Sequence, residues 1–253
     1  MRQLLIIIGL LIAQQGYGQK FQLVLDSPLR EAHSNYEVKG RQGIMIRQKL
    51  SFGNYETREV KRGALRSWVG STGIPGLIWE EHMEGRQSIR FRLTDGLLES
   101  QVVMVTNISR RDLKIGSDRN SLPNQVSSIL TIGTDAQENN LSTAIYIQGE
   151  ETPWELFLDN TDAQLNRGNY TGYVVRGEQY YQIVPVWEVT YKDKQREIPF
   201  GTAGFEIQDA DGKALAAVSL MDSKGIVYLG NLDPAERFLM ANVCATLLLQ
   251  EVH

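Results

Sequence analysis

The amino-acid sequence predicts a mainly β protein: an antiparallel sandwich or barrel-like arrangement of sheets with one C-terminal helix packed on it. Three observations carry that expectation. From residue 19 to about 230, apolar and polar residues alternate with period two, and turn residues are spaced along the run. At Asp233 the period changes to three and four and holds to the end of the chain. The single cysteine, Cys244, excludes an intramolecular disulfide, so stability rests on a conventional core, for which 253 residues with 42% hydrophobic content suffice.

The first 18 residues read as a cleaved signal peptide. Arg2 supplies the positive start, Leu4–Ala13 is apolar, and Gly16 and Gly18 are small residues at a cleavage site. Ten apolar residues fall short of the roughly 20 that a membrane span needs. Residues 19–253 are then expected to form a single domain, exported to the periplasm or beyond.

Ile44 and Ile46 share one face of Gln42–Leu50, with Arg47 and Lys49 on the other. In Ser88–Leu93, Ile89, Phe91 and Leu93 lie opposite Arg90 and Arg92; Asp95-Gly96 supplies a tight turn, and Leu98–Thr106 returns. Ser109–Gln125 is polar and reads as a long surface loop or as a division of the chain into two β units. Val126–Ile132, Thr143–Ile147, Trp154–Leu158 and Tyr170–Arg176 are strand candidates. Tyr180–Tyr191 is a long one, in which Pro185 demands a bulge or an edge position. A closing meander follows: Phe205–Gln208, Ala214–Leu220 and Ile226–Leu229, with turns at Asp209–Lys213 and Asp222–Gly225. Asp233-Pro234-Ala235-Glu236 then starts a helix over 233–251, with Asp as cap and Pro at its first position. Phe238, Leu239, Val243, Leu247 and Leu248 form its stripe, widened by Met240, Cys244 and Leu249. So apolar a helix must be covered, by a sheet face, by a barrel end or by a second copy in a homodimer. Cys244 within it reads as inert and buried.

Several function classes are excluded or disfavoured. The net charge of −4 leaves no global positive field for nucleic acid. Three His and one Cys exclude multi-His and multi-Cys metal centres, and no nucleotide-binding, nucleophile-elbow or zinc-protease motif occurs, so neither metal nor cofactor is expected. Asp209-Ala210-Asp211-Gly212 resembles half a calcium loop but lacks the first and twelfth ligands. The one local constellation with catalytic chemistry is Glu80, His82 and Glu84, which project from one face of a strand as two carboxylates and an imidazole. A hydrolase acting on carbohydrate would need them to converge in a cleft with groups from elsewhere. Trp68, Trp79, Trp154 and Trp187 would suit stacking on sugar or lipid, although Trp154 and Trp187 keep step with apolar neighbours. Charge is uneven along the chain. Residues 39–66 carry eight basic side chains, a candidate surface for envelope polysaccharide, lipid or protein, while no Lys or Arg lies between Asn120 and Asn166.

The runs Val38-Lys39-Gly40-Arg41-Gln42-Gly43, Gln48–Tyr55 and Val60-Lys61-Arg62, with Gly204-Phe205-Glu206 to Gly225 and the tail from Asp233-Pro234, resemble a pattern in exported bacterial envelope proteins of unknown function. The resemblance implies a periplasmic address and no catalytic residues. Members often carry a lipid-anchored Cys, which this leader does not. The residues themselves and this resemblance converge on a non-enzymatic envelope protein for binding or assembly; a carbohydrate-active hydrolase and a small-lipid carrier with a hollow barrel are the alternatives.

Overall fold

The computed structural model describes residues 21–31, 33–41, 48–64, 66–74, 78–115, 137–165, 171–198, 201–221 and 225–250. In chain order the elements are β1 (Gln22–Leu23), α1 (Ser27–Glu31), β2 (His33–Glu37), β3 (Ser51–Phe52), β4 (Tyr55–Arg62), β5 (Arg66–Ile74), β6 (Ile78–Thr94), β7 (Glu99–Ile115) and β8 (Gln137–Ile147). There follow β9 (Trp154–Asp159), α2 (Asn160–Leu165), β10 (Gly172–Arg176), β11 (Gln179–Val186), β12 (Glu188–Tyr191), β13 (Lys194–Glu197), β14 (Gly204–Gln208), β15 (Ala214–Ser219), β16 (Ile226–Gly230) and α3 (Pro234–Leu249).

The antiparallel strands form one large sheet in the order β2-β16-β15-β14-β11-β10-β9-β8-β7-β6-β4-β3, with β5 added beside β6. Its two ends meet. Just past β2, Lys39 exchanges backbone hydrogen bonds of 2.9 and 3.1 Å with Ser51 of β3, which turns the sheet into a nearly closed barrel. Gly40 makes the approach feasible: at φ +79° it stands where a Cβ would come within 1.9 Å of the Lys49 carbonyl oxygen.

A ring of this many strands is wider than its own side chains can fill, since about eight strands mark that limit. Helix α3 fills it. Every residue from Phe238 to Leu249 is buried, packed among Tyr55 of β4, Phe91 of β6, Met104 of β7, Leu156 of β9, Phe205 of β14 and Val218 of β15. Its buried polar groups are satisfied within the ring: Asn242 donates to the Phe238 carbonyl and accepts from Ser100 of β7, and Thr246 donates to the Asn242 carbonyl. The ends are tied as well. Asp233 accepts from the Glu236 amide as the cap, Arg237 donates to Tyr36 of β2, and Arg62 of β4 reaches the Leu249 carbonyl.

A smaller sheet, β1-β12-β13, lies outside the barrel. Leu23, Leu25 and Leu29 from β1 and α1, with Val189, cover Ala214, Ala217 and Tyr228 on the outer face of β15 and β16. Strand β15 is therefore buried on both faces, which accounts for its run of small residues, Ala-Leu-Ala-Ala-Val-Ser. Beneath this cover lies Glu206 of β14, whose carboxylate accepts from the Asp26 amide and the Gln208 side chain. Burial pushes its pKa up, against those two hydrogen bonds.

The expected β fold, the hairpin at Asp95-Gly96, the closing meander and the C-terminal helix are all present. The helix packs on the barrel-like sheet as expected, with every residue from Phe238 to Leu249 buried. Two expectations need correction. Ser109–Ile115 is not loop but the end of β7, paired throughout with β6. The long Tyr180–Tyr191 strand is two, broken at Trp187, and Pro185 pairs with Phe205 of β14 while lying beyond the β10–β11 pairs of the described residues. The leader, residues 42–47, residues 116–125 of the polar segment, Val126–Ile132, Tyr170 and residues 222–224 of the meander's last turn lie outside the described residues.

Glu206 sets a pH dependence. A carboxyl whose folded pKa is raised contributes stability that is complete below its unfolded value, near 4.3, and is lost as pH rises through the folded value. Glu206→Gln is therefore expected to gain on the wild type as pH rises, with its Tm relative to wild type higher at pH 8 than at pH 4.5, measured by calorimetry. A second substitution probes the helix. Ser100→Ala leaves the buried Asn242 oxygen without its donor and should cost about 1–3 kcal/mol in chemical denaturation.

Candidate functional site

The outer face of β4, β5 and β6 gathers most of the chain's unusual chemistry. Along β6, Ile89, Phe91 and Leu93 point into the core, so Arg86, Arg90 and Arg92 emerge outward at two- and four-residue steps. Register places a basic residue directly opposite each of them: Arg66 of β5 opposite Arg86, Lys61 of β4 opposite Arg90, and Arg58 of β4 opposite Arg92. Residues so opposed share a face with Cβ atoms about 5 Å apart, and like charges there are destabilising.

At the lower rung the repulsion is relieved. Arg92 pairs with Glu99 at 3.2 Å and with Glu59 at 3.1 Å, and Arg58 lies 3.5 Å from Glu56. Glu59 reaches Arg92 because β4 bulges between Arg58 and Lys61, setting Glu59 and Val60 against Phe91 alone; Val60 turns inward and Glu59, at φ +53°, stays outside. Lys49, 2.8 Å from Glu56, is the main cause holding that carboxyl below its ordinary range. At the upper rungs Lys61, Arg66, Arg86 and Arg90 are exposed and have no carboxylate partner among the described residues.

The basic stretch 39–66 is thus not one patch. Arg41 donates to the Leu220 carbonyl and Arg62 to the end of α3, both in structural roles; Lys49 and Arg58 are taken by Glu56. Among the described residues of that stretch, only Lys61 and Arg66 stand on the uncompensated face. The other half, Arg86 and Arg90, comes from 20 residues further on. Alternation in Ser88–Leu93 already sets Arg90 outward; what the linear sequence lacks is the pairing that places it opposite Lys61.

Above Arg86 the same face continues. Trp68 is opposite Glu84, which is opposite Ser109 of β7, and Arg86 is opposite Asn107. Trp68 is 61% exposed, and its six-membered ring lies over Gly70, where an added Cβ would meet it at 2.2 Å. Arg66, Trp68, Glu84, Arg86, Asn107 and Ser109 line an open groove of about 680 Å³.

The sequence-derived candidates Glu80, His82 and Glu84 occupy alternate positions on this part of β6. His82 is half-buried and Glu84 exposed; the side chain of Glu80 lies outside the description. Facing them in register are Thr72 and Leu113, Gly70 and Arg111, and Trp68 and Ser109. None is an acid or an imidazole, so the neighbouring strands add no second catalytic carboxylate at those positions. Among the described residues no group of three His, Cys, Asp or Glu is placed to hold a metal ion. Asp209, from the calcium-like sequence, accepts from the amides of Asp211 and Lys213 and so closes its own turn. Trp154 and Trp187 are buried, the former with the Arg176 guanidinium 4.2 Å above its ring. Burial pushes the Cys244 thiol well above its ordinary pKa, the setting of an inert thiol.

Comparison with known proteins gives no match: no family model, no characterised protein and no solved structure is similar to the chain.

The uncompensated rungs imply a stability penalty that substitution can lift. Arg90→Thr, which removes one charge of the Lys61 pair and supplies a β-branched residue, is expected to stabilise the fold by about 0.2–1 kcal/mol in urea denaturation. The gain should shrink in 1 M salt, where the screening length falls to about 3 Å.

Proposed function

We propose that this chain is an exported, non-enzymatic binding protein of the bacterial envelope whose ligand is an acidic polysaccharide held along the outer face of β4, β5 and β6. The observation that carries the reading is the set of cross-strand pairs Lys61–Arg90 and Arg66–Arg86, which form no ion pair with a carboxylate among the described residues, while the neighbouring Arg58–Arg92 rung has three. A protein with 30 acidic residues has ample means to neutralise four cations. Leaving them bare keeps a local positive field on a molecule of net negative charge, which selects an extended anion over a general polyanion. The signal-peptide pattern at residues 1–18 and the resemblance of 38–62 to envelope proteins support the extracytoplasmic setting.

The alternatives fare less well. A hydrolase through Glu80, His82 and Glu84 would find no carboxylate or imidazole at the positions opposite them in register on β5 and β7. A lipid carrier needs a hollow interior, and α3 occupies the interior of this barrel.

Protein purified from the exported fraction should be retarded in gels containing polygalacturonate and not in gels containing neutral dextran. Arg86→Gln/Arg90→Gln should weaken the retardation about tenfold or more, since each lost charge-assisted bond is worth about 1.5–3 kcal/mol. Binding to anionic phospholipid vesicles with none to polygalacturonate would overturn the proposal.

A further inference from the structure

The charge ladder explains attraction to an acidic polymer; the groove above it goes further, toward the sugar unit that polymer presents. We infer that Trp68, Arg66, Arg86 and Asn107 form a subsite for one carboxylate-bearing sugar ring, a uronic acid residue of the polysaccharide. This inference rests on the binding function proposed above and assigns its specificity.

Gly70 sets the position of the indole. A strand residue two positions from a tryptophan ordinarily carries a Cβ that holds the indole upright or turns it aside. Here glycine lets the six-membered ring lie against the backbone, at positions a Cβ would contest at 2.2 and 2.6 Å. The indole is thereby seated along its own strand, and the side chain is still 61% exposed. A flat aromatic ring held along a β-strand is suited to the apolar C–H face of a pyranose ring.

The groups around it select the sugar. Arg66 stands two residues along β5 on the same face, and Arg86 is directly opposite Arg66 on β6. Two guanidinium groups side by side match a carboxylate, which accepts paired N–H bonds from each. Next to Arg86 on β7 is the exposed amide of Asn107, and opposite Trp68 are Glu84 and, beyond it, the Ser109 hydroxyl, all lining the same groove of about 680 Å³. Glu84 is informative. A carboxylate in the groove repels a densely charged ligand such as a nucleic acid or a heavily sulfated chain, yet accepts readily from sugar hydroxyls. Two cations, one anion, an amide, a hydroxyl and an aromatic plate together describe a ring with one negative charge and several hydroxyls. The volume accords with that size, within the range of small-ligand sites of about 300–1,000 Å³. Below the groove, Arg90 lies four residues from Arg86 along β6, a rise of about 13 Å, so the Lys61–Arg90 rung meets a later unit of the same chain.

The test uses the full exported chain and trigalacturonate, with the trigalacturonate methyl ester as a probe of the same rings without charge. Trigalacturonate is expected to change tryptophan emission, and the methyl ester to bind about tenfold or more weaker. Trp68→Ala should abolish the emission change and weaken binding about tenfold, whereas Trp68→Tyr should retain affinity because the stacking plate persists. Gly70→Ala, which lifts the indole from the strand, should weaken trigalacturonate while leaving Tm close to that of wild type. Retention of polygalacturonate by Trp68→Ala and Arg66→Gln at wild-type strength would overturn this subsite and leave the proposed function standing. Failure of the wild-type protein to bind polygalacturonate at all would overturn both. Tighter binding of inorganic phosphate or heparin than of trigalacturonate would overturn the uronic acid assignment.

Discussion

A helix that is apolar on every side has to be enclosed on every side, and that constraint organises this molecule. Between Phe238 and Leu249 only Asn242 and Thr246 are polar, and both are satisfied within the core or by the helix itself. A single sheet face would cover about half of such a helix, a barrel end only its tip. The chain answers with a sheet long enough to curl around it and close through the Lys39–Ser51 bridge. Ring and helix need each other: the ring is too wide to fill itself, and the helix too apolar to stand in water. The contacts at the helix ends fall on strands near the sheet margins, Tyr36 of β2 at one end and Arg62 of β4 at the other, so packing the helix also brings those margins together.

With the interior given over to packing, chemistry is left to the outside. The outer face is not uniform. Over β15 and β16 it is roofed by the small β1-β12-β13 sheet and α1, and the buried Glu206 beneath that roof holds the Asp26 amide. Over β4 to β7 it is open, and there the charges stand unbalanced. The β4 bulge separates two regimes on one strand pair: it delivers Glu59 to Arg92 and spares Arg90 any such partner.

Much of the architecture is legible in the sequence because period two and period three-point-six differ so clearly. The hairpin at Asp95-Gly96, the meander from Phe205 and the cap at Asp233 are all local, and local chemistry writes them. Pro185 is legible for the same reason. What escapes is long-range. The apolar stripe of α3 announces burial but not that burial comes from all directions, since a stripe widened by Met240, Cys244 and Leu249 reads equally as a broad face. Ser109–Ile115 looks like a loop because it opens on the polar run Ser-Arg-Arg-Asp and leaves only Leu113 and Ile115 to mark an alternation. The candidate site follows the same division. Glu80, His82 and Glu84 attract notice because they are adjacent in sequence, and Trp68 because tryptophans are few. The pairing of Arg66 with Arg86 and of Lys61 with Arg90 is set by register across 20 to 29 residues, which no linear window contains.

The second half of β6 is backed by the core, but its first half pairs with β5, a strand with no further neighbour among the described residues. The groove with Trp68 therefore sits on a ribbon of four strands, β5-β6-β7-β8, which among the described residues narrows to three beyond Arg110. A ribbon of that kind bends and twists more readily than a closed ring, so a long stiff chain threading past it could be followed along its length by the protein instead of being met at one fixed angle. The barrel would then be the anchor and the ribbon the finger laid along the strand it reads.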